Sequence, residues 1–397
     1  MRDEGKSKAF ELTSTFIPHP SSLPMRWDIF CNVVDNFGDI GVSWRLARQL
    51  AAEHAASVRL WVDDLVVFKR LAPALDAEAD VQSLGVVEVR RWLTPFPVLE
   101  PAAVVVETFG CELPASYVEA MAARARPPVW INLEYLSAEL WVGGCHGLPS
   151  PHPRLPLTKY FFFPGFAIGT GGVLFERGLA GRRRAYQSDA DGVAKFLASL
   201  GVPPRTQDEQ LVSVFCYPQA PVGALLDAWA GGRRPVRALA FAGTAAANVL
   251  AARGLSGGRR DGALAAQVLP FLAQDDYDRV LWSCDWNFVR GEDSFVRAQL
   301  AARPLVWQAY PQAGDSHRMK VEAFLARYLV HAGPGDRTNL GTLWAAWNGF
   351  AGAEGLAAAW AACGGPAYPE LARGWEKSLA GTGDLAANLA KFCAERL

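Results

Sequence analysis

Short apolar runs alternate with amphipathic segments from Arg26 onward, a pattern typical of a parallel sheet covered by helices. The runs are almost continuously apolar, as in strands buried on both faces. A helix over residues 40–53 follows the first run, with Val42, Leu46 and Leu50 on one stripe. The predicted strands of this first half are residues 27–34, 58–62, 86–89, 103–106 and 128–133.

The same rhythm restarts after Pro203 and Pro204. The predicted strands of the second half are residues 211–215, 236–241, 267–269, 279–282 and 305–310, with helices over 222–230 and 295–302. From Ser316 onward the pattern is almost wholly helical. Glycine, proline and histidine crowd together over residues 145–156, and glycine recurs over 165–172, so we expect the first unit to end there. The sequence therefore predicts two doubly wound α/β domains in tandem, with ligands bound at the carboxyl ends of their strands in a shared cleft.

Composition narrows the class of protein. The chain has 397 residues and a formal net charge of -1, which argues against a globally basic nucleic-acid binder. No apolar run reaches the roughly 18 residues of a membrane span, so we expect a soluble protein with no membrane partner. The seven cysteines are scattered without a C-x-x-C pair, which indicates a reduced compartment and hence a cytoplasmic location. Residues 1–24 are polar and lack the apolar core of a signal peptide, and we expect residues 1–25 to be a disordered N-terminal extension.

Two aspartates stand between the first predicted strand and its helix, in the segment Asp35-Asn36-Phe37-Gly38-Asp39-Ile40-Gly41. Carboxylates at this edge of a sheet can orient and deprotonate an acceptor group. The structural alternative is that Asp39 caps the helix and Asp35 forms an Asx turn. The spacing alone leaves both interpretations open.

A second polar segment, Phe288-Val289-Arg290-Gly291-Glu292-Asp293-Ser294, opens the helix predicted over residues 295–302. The free amides and positive dipole of a helix N-terminus suit a phosphate, to which Arg290 can add a bidentate contact. The alternative is a simple N-cap by Asp293 or Ser294. Burial of an Arg, a Glu and an Asp beside a cap is harder to explain by that second interpretation.

A third segment, residues 270–277, offers π faces for a nucleobase at Phe271 and Tyr277 and an amide at Gln274 that can read a base edge. Aromatic side chains at this spacing also occur in ordinary cores. The triplets Asp276-Tyr277-Asp278 and Asp189-Ala190-Asp191 resemble a D-x-D metal motif, but a chain with 40 acidic residues forms such triplets by chance. The histidines show no H-x-x-x-H spacing, and we expect no metal and no cofactor.

Together these segments resemble the EarP family, bacterial protein-arginine rhamnosyltransferases that modify elongation factor P (EF-P). The resemblance begins with residues 27–47, including the two aspartates, and covers essentially Arg26 to the C-terminus. Departures from the family pattern are the N-terminal extension and a Gly/Arg-rich insertion at residues 257–260. The other matching segments are residues 215–217, 269–278, 287–294 and 307–312.

This resemblance implies a GT-B fold, with two Rossmann-like domains facing a central cleft, and an inverting transfer of L-rhamnose from dTDP-β-L-rhamnose to an arginine of EF-P. It implies catalytic roles for Asp39, Asp35 and Glu292. We expect domains at residues 26–180 (acceptor side) and 181–375 (nucleotide-sugar side), and a C-terminal helix at 376–397 packing back on the first. The residues matched to the donor pocket are Phe215, Tyr217, Phe271, Gln274, Tyr277, Arg290, Asp293 and Ser294.

Two other functions remain open from the sequence. One is a GT-B transferase with a small-molecule or lipid-linked acceptor. The other is a non-catalytic nucleotide-sugar-binding protein, although mere binding has no need of Asp35, Asp39 and Glu292 as acids.

Overall fold

Two mainly parallel β-sheets, one in each half of the chain, organise the fold. The computed structural model describes residues 24–35, 37–312 and 316–397. The predicted disordered extension therefore lies outside the described residues, except for Pro24 and Met25. The strands of the first sheet are β1 (Arg26–Cys31), β2 (Ser57–Val62), β3 (Val81–Leu84), β4 (Val87–Arg91), β5 (Val104–Thr108), β6 (Val129–Leu133), β7 (Pro149–Pro151) and β8 (Thr158–Phe162). Those of the second are β9 (Gln210–Val214), β10 (Val236–Phe241), β11 (Gly257–Asp261), β12 (Leu264–Leu269), β13 (Trp286–Arg290) and β14 (Leu305–Gln308).

Both sheets have the strand order of a Rossmann-like domain. Over the described residues the first runs β3-β4-β2-β1-β5-β6-β8-β7 and the second β11-β12-β10-β9-β13-β14. Only the edge strands β3, β7 and β11 are antiparallel to their neighbours among these residues. Strand order reverses on either side of β1 in the first sheet and of β9 in the second. Ligands of such folds bind outside the carboxyl ends of the strands at these points.

Helices cover the sheets and close both cores. In the first half they are α1 (Phe37–Glu53), α2 (Leu65–Leu71), α3 (Ala115–Ala122), α4 (Val142–Cys145), α5 (Leu179–Ser188) and α6 (Ala190–Ser199). In the second they are α7 (Val222–Ala230), α8 (Ala245–Ala252), α9 (Gln274–Ser283), α10 (Asp293–Leu300) and α11 (Ser316–Tyr328). The C-terminal helices are α12 (Pro334–Trp347), α13 (Leu356–Ala362), α14 (Ala367–Leu379) and α15 (Leu385–Ala394), with a 3₁₀ turn at Ala353–Gly355.

The last helix returns to the core of the first sheet. Leu385, Leu389 and Cys393, four residues apart along α15, are buried with the apolar side chains of β1 and α1. Asp384 caps the helix by accepting a hydrogen bond from the Ala387 amide. The chain therefore crosses from the second half back to the first at its end.

One predicted strand is wrong. Residues 279–282 lie inside α9, and the strand of this region is β13. The run Val280-Leu281-Trp282 is the buried side of a helix, and a run this short has too little periodicity to distinguish a helix from a strand. Gln274 and Tyr277 consequently lie on the first turns of α9, and not on a loop before a strand.

Several boundaries also differ from the predictions. The first strand ends at Cys31, and not at residue 34, and α1 begins at Phe37, three residues earlier than predicted. The insertion at residues 257–260 forms most of the exposed edge strand β11. None of the helices in the described part of the chain combines the length and apolar character of a membrane span. All seven cysteines are free thiols.

Candidate active site

The loop between β1 and α1 fixes Asp39 at the carboxyl edge of the first sheet. Asp39 lies in the first turn of α1, and its Oδ2 accepts hydrogen bonds from the amides of Val34 (2.9 Å) and Asp35 (2.8 Å). Its Oδ1 accepts one from the Tyr135 hydroxyl at 3.2 Å. Burial raises the pKa of Asp39, and the two amides and the phenol oppose that rise. Asp39 therefore holds its loop together while one of its oxygens stays available to the cleft.

Asp35 reaches across the cleft instead of closing a turn on its own loop. Its Oδ2 accepts a hydrogen bond of 2.5 Å from the Tyr217 hydroxyl, and its Oδ1 lies 3.6 Å from a guanidinium nitrogen of Arg290. Tyr217 and Arg290 follow β9 and end β13, the two strands at the reversal point of the second sheet. Burial raises the pKa of Asp35 to about 6, against the lowering effect of Tyr217 and Arg290. The two reversal points therefore face each other directly.

Gly291 makes this close approach possible. Its φ is +63°, and a Cβ at this position would lie 2.9 Å from Asp35 Oδ2 and 3.2 Å from the Tyr217 hydroxyl. The next residue, Glu292, precedes α10 at the N-cap position, but its Oε2 accepts a hydrogen bond of 2.8 Å from the Leu136 amide. Burial raises the pKa of Glu292 to about 8, and the negative charge of Asp39 adds to that rise. The simple N-cap interpretation of this segment is wrong, because α10 begins at Asp293 and Glu292 binds the other half of the molecule.

A cavity of about 540 Å³ lies on the second-domain side of Asp35. Five of its fourteen lining residues are aromatic. The guanidinium of Arg290 lies over the rings of Phe215 (4.7 Å) and Tyr217 (4.3 Å). Tyr217 does not line the cavity itself, but it contacts Asp35 and Arg290, which do. The other residues predicted for the donor pocket all line it: Phe215, Phe271, Gln274, Tyr277, Arg290, Asp293 and Ser294. We call this space the donor cavity, after the donor-pocket residues predicted from the sequence.

A second cavity of about 840 Å³ adjoins the first. Asp39 and Glu292 line it from opposite domains. Asp35, Gly38 and Gly291 line both cavities, so the two spaces meet at these residues. We call this second space the acceptor cavity, after the acceptor role expected from the sequence for its acids. Its remaining lining residues are Val34, Tyr135, Leu136, Phe295, Trp307, Ala309, Tyr310, Gln312 and Lys320.

Two donor-cavity residues also bind helix α1 of the first half. Asp293 Oδ1 accepts a hydrogen bond of 2.7 Å from Arg45 Nε, and Gln274 Nε2 donates one of 2.9 Å to the Gly41 carbonyl. Arg45 also pairs with Asp278 at 3.0 Å, and Arg297 pairs with the same carboxylate at 2.6 Å. Two aspartates of the D-x-D-like triplets make structural contacts here. Asp278 bridges two arginines, and Asp189 caps α6.

The sequence did not single out several residues of the two cavities. Tyr135 lies two residues after β6, so the rule that placed Asp35 at a strand end could have found it as well. Phe37 packs against Phe271 with ring centroids 4.5 Å apart and completes the donor cavity from the first half. Lys320 lies on α11 in the helical tail, where no sequence signal pointed to the cleft.

Two Rossmann-like sheets facing a cleft, with adjoining cavities at their reversal points, define a glycosyltransferase of the GT-B class. Comparison with known proteins makes this more specific. Residues 27–394 match the model of the family described as Elongation-Factor P (EF-P) rhamnosyltransferase EarP. The chain therefore belongs to the EarP family, and it is an enzyme of the glycosyltransferase type.

Individual relatives agree with this assignment. The chain is 49% identical over 379 residues to the protein-arginine rhamnosyltransferase of Pseudomonas aeruginosa, covering 94% of this chain and 99% of the relative. It is 39% identical over 394 residues to that of Shewanella oneidensis, covering 94% and 98%. A solved EarP structure, described as the basis for EarP-mediated arginine glycosylation of translation elongation factor EF-P, superposes with a TM-score of 0.66 at 37% identity. That match covers 94% of this chain and all of the solved one.

Proposed function

We propose that this enzyme transfers L-rhamnose from dTDP-β-L-rhamnose, with inversion at the anomeric carbon, to an arginine side chain of EF-P. The family and the names of the relatives support the reaction type and the acceptor. The observation that carries the proposal is the junction of the two cavities at Asp35, Gly38 and Gly291. Inversion needs the nucleophile and the leaving group on opposite faces of the anomeric carbon, and two separate cavities that adjoin leave room for that arrangement.

The donor cavity suits a thymidine diphosphate. Phe215, Phe271 and Tyr277 present aromatic surface to a base, and Gln274 offers an amide to its edge. The diphosphate would lie at the start of α10, beside Asp293 and Ser294, where free amides and the helix dipole favour an anion. Arg290, whose guanidinium lies over the rings of Phe215 and Tyr217, would stabilise charge on the leaving diphosphate. The proposal needs no metal and no cofactor.

The acceptor cavity suits a guanidinium, because acids from both halves line it. A guanidinium has a pKa above 12 and is a poor nucleophile until it loses a proton, so its transfer requires a base. We assign that base to Asp39. Asp35 would orient the guanidinium toward the anomeric carbon, and Glu292 would steady it from the other domain. As the new C–N bond forms, the C–O bond to dTDP breaks, and the acceptor proton passes to Asp39.

The test is incubation of the purified enzyme with dTDP-β-L-rhamnose and folded EF-P, followed by intact mass and fragmentation. The expected product carries one deoxyhexose on one arginine. EF-P with that arginine changed to lysine is the matched control. No added mass, or transfer only to a small molecule or lipid, would overturn the proposal, and dTDP binding without turnover would indicate a non-catalytic protein. We expect the reaction to take place in the cytoplasm.

A further inference from the structure

Tyr135 lies in the wall of the acceptor cavity, in hydrogen-bond contact with Asp39. It follows β6 by two residues, and its ring stacks on Phe109, with centroids 4.4 Å apart and an interplanar angle of 16°. Phe109 itself follows β5, the neighbouring strand. The ring is thereby fixed with its hydroxyl 3.2 Å from Asp39 Oδ1. The phenol is part of the cavity wall and is built into the sheet edge.

The hydrogen bonds of Asp39 leave little capacity unused. An ionised carboxylate has about four acceptor positions, two on each oxygen. The amides of Val34 and Asp35 take both positions on Oδ2, and the Tyr135 hydroxyl takes one on Oδ1. A single position on Oδ1 therefore remains for a substrate proton. The direction of this free position depends on the Tyr135 hydroxyl, which occupies the other position on Oδ1.

We propose that Tyr135 is a positioning residue for the transfer, whose hydroxyl orients Asp39 Oδ1 so that its one remaining acceptor position faces the acceptor cavity. The inference rests on the proposed function, in which Asp39 is the base. It adds a residue that neither the motifs nor the predicted catalytic acids include.

The electrostatic surroundings keep the phenol in its donating form. Burial and the negative charges of Asp39 and Glu292 raise the pKa of Tyr135, so it remains protonated wherever the enzyme works. Lys320 lies 5.9 Å from the centre of the Tyr135 ring. The hydroxyl in turn lowers the pKa of Asp39, so its removal should keep that carboxylate protonated to higher pH. The other charged or titratable groups that act on Asp39 or are affected by it are Cys31, Asp35, Asp63 and Glu292.

Tyr135→Phe tests the inference, because it removes the hydroxyl and keeps the stacked ring. We expect kcat to fall about tenfold with the KM for dTDP-rhamnose unchanged, and the acidic limb of the kcat profile to rise by about one pH unit. Tyr160→Phe is the matched control. It removes a phenol from the neighbouring strand β8, where the ring packs edge-on against Phe392, and should leave both quantities at wild-type values.

Phe109→Leu provides a second measurement, which also serves if Tyr135→Phe is poorly folded. It keeps the phenol but removes the ring that fixes it, and we expect a smaller loss of kcat with a shift of the acidic limb in the same direction. Wild-type kcat and an unmoved limb in either folded variant would overturn the inference, as would a raised donor KM with normal kcat. These outcomes differ from failure of the proposed function, in which the wild-type enzyme itself would not modify EF-P.

Discussion

The Tyr217 hydroxyl donates a hydrogen bond of 2.5 Å to Asp35 Oδ2 across the cleft. Tyr217 follows β9 of the second sheet, and Asp35 follows β1 of the first. The contact is close because Gly291 has no side chain to separate them. In the proposed reaction, a residue of the nucleotide-binding half therefore holds an acid of the acceptor half in place.

Tyr217→Phe should remove the hydrogen bond to Asp35 that connects the two halves. The tyrosine lowers the pKa of Asp35, which burial has raised to about 6, so loss of the hydroxyl should raise it further. We expect kcat/KM for EF-P to fall about tenfold at pH 7, with a smaller loss at pH 8.5, where Asp35 is ionised in both enzymes. Tyr186→Phe, whose hydroxyl contacts Ser283 outside the two cavities, is the control. Equal loss at both pH values would contradict this account.

Asp39→Asn should separate chemistry from donor binding. Asn retains an oxygen that can accept from the amides of Val34 and Asp35, so the loop should keep its conformation. It cannot accept the acceptor proton, and we expect turnover to fall by 10²–10⁴-fold, the usual contribution of a general base. Calorimetry with dTDP should give a nearly unchanged affinity. A variant that retains a tenth of wild-type turnover would remove Asp39 as the base.

The fold could be predicted where the pattern was long or the strand fully buried. Helix α7 and strand β10 agree residue for residue with the sequence prediction. The error at residues 279–282 has a physical origin, because three consecutive apolar residues fit a buried strand and the buried face of a helix equally well. Edge strand β11 was missed because all five of its residues are exposed and none is apolar.

The site could be predicted only in part, for a different reason. Asp35 was placed at the carboxyl end of its strand, and Arg290 near the start of a helix, by rules that act within one domain, although the strand predicted before Arg290 lies inside α9. Their separation of 3.6 Å depends on the relative orientation of two domains, which no local pattern encodes. The same holds for Glu292 and the Leu136 amide. Local sequence therefore indicated which residues face the cleft, but not which of them meet.

Phe271 and Arg290 should each contribute to donor affinity. Phe271 presents a ring to the donor cavity, and loss of a base-stacking ring typically costs about 1–3 kcal/mol. Loss of Arg290 should cost a similar amount of binding free energy, because its guanidinium would donate charge-assisted hydrogen bonds to the diphosphate. Calorimetry with dTDP on Phe271→Ala and Arg290→Gln should report weakening of at least fivefold in each. Unchanged affinity in both variants would mean that the nucleotide binds elsewhere.

Glu292→Gln should lower kcat and raise the free energy of unfolding. The pKa of Glu292 is about 8 in the folded protein, above its ordinary value of 4.5, so the folded state binds the extra proton. The stability that this bound proton contributes to the folded state is therefore fully present below pH 4.5 and is lost as pH rises through 8. Gln keeps an acceptor for the Leu136 amide without a charge. We expect a gain of about 1 kcal/mol in the free energy of unfolding at pH 8.5, seen as a higher Tm, a smaller gain at pH 5, and at least tenfold lower kcat. Thermal unfolding at the two pH values provides the measurement, and an equal gain at both would contradict it.

Arg45 connects the donor cavity to the first half of the molecule through charges that are almost wholly buried. Its Nε binds Asp293, which lines the donor cavity, and its terminal nitrogens bind Asp278. The fork geometry of a guanidinium allows both contacts at once, whereas an ammonium is a single point charge. Full removal of one partner from such a network is strongly destabilising, so the conservative change is the more informative one.

Arg45→Lys keeps the charge and should lose the contact with Asp293. We expect the KM for dTDP-rhamnose to rise several-fold with a smaller change in kcat, since Asp293 then has freedom to move at the start of α10. Arg59→Lys is the matched control, because Arg59 forms a comparable double contact with buried Asp28 on β1, and neither residue lines the two cavities. Both variants should lower Tm, but only the first should raise the donor KM. Steady-state kinetics with Tm measured alongside decides the matter, and a donor KM that rises equally in both would show that lost stability, not lost positioning, is responsible.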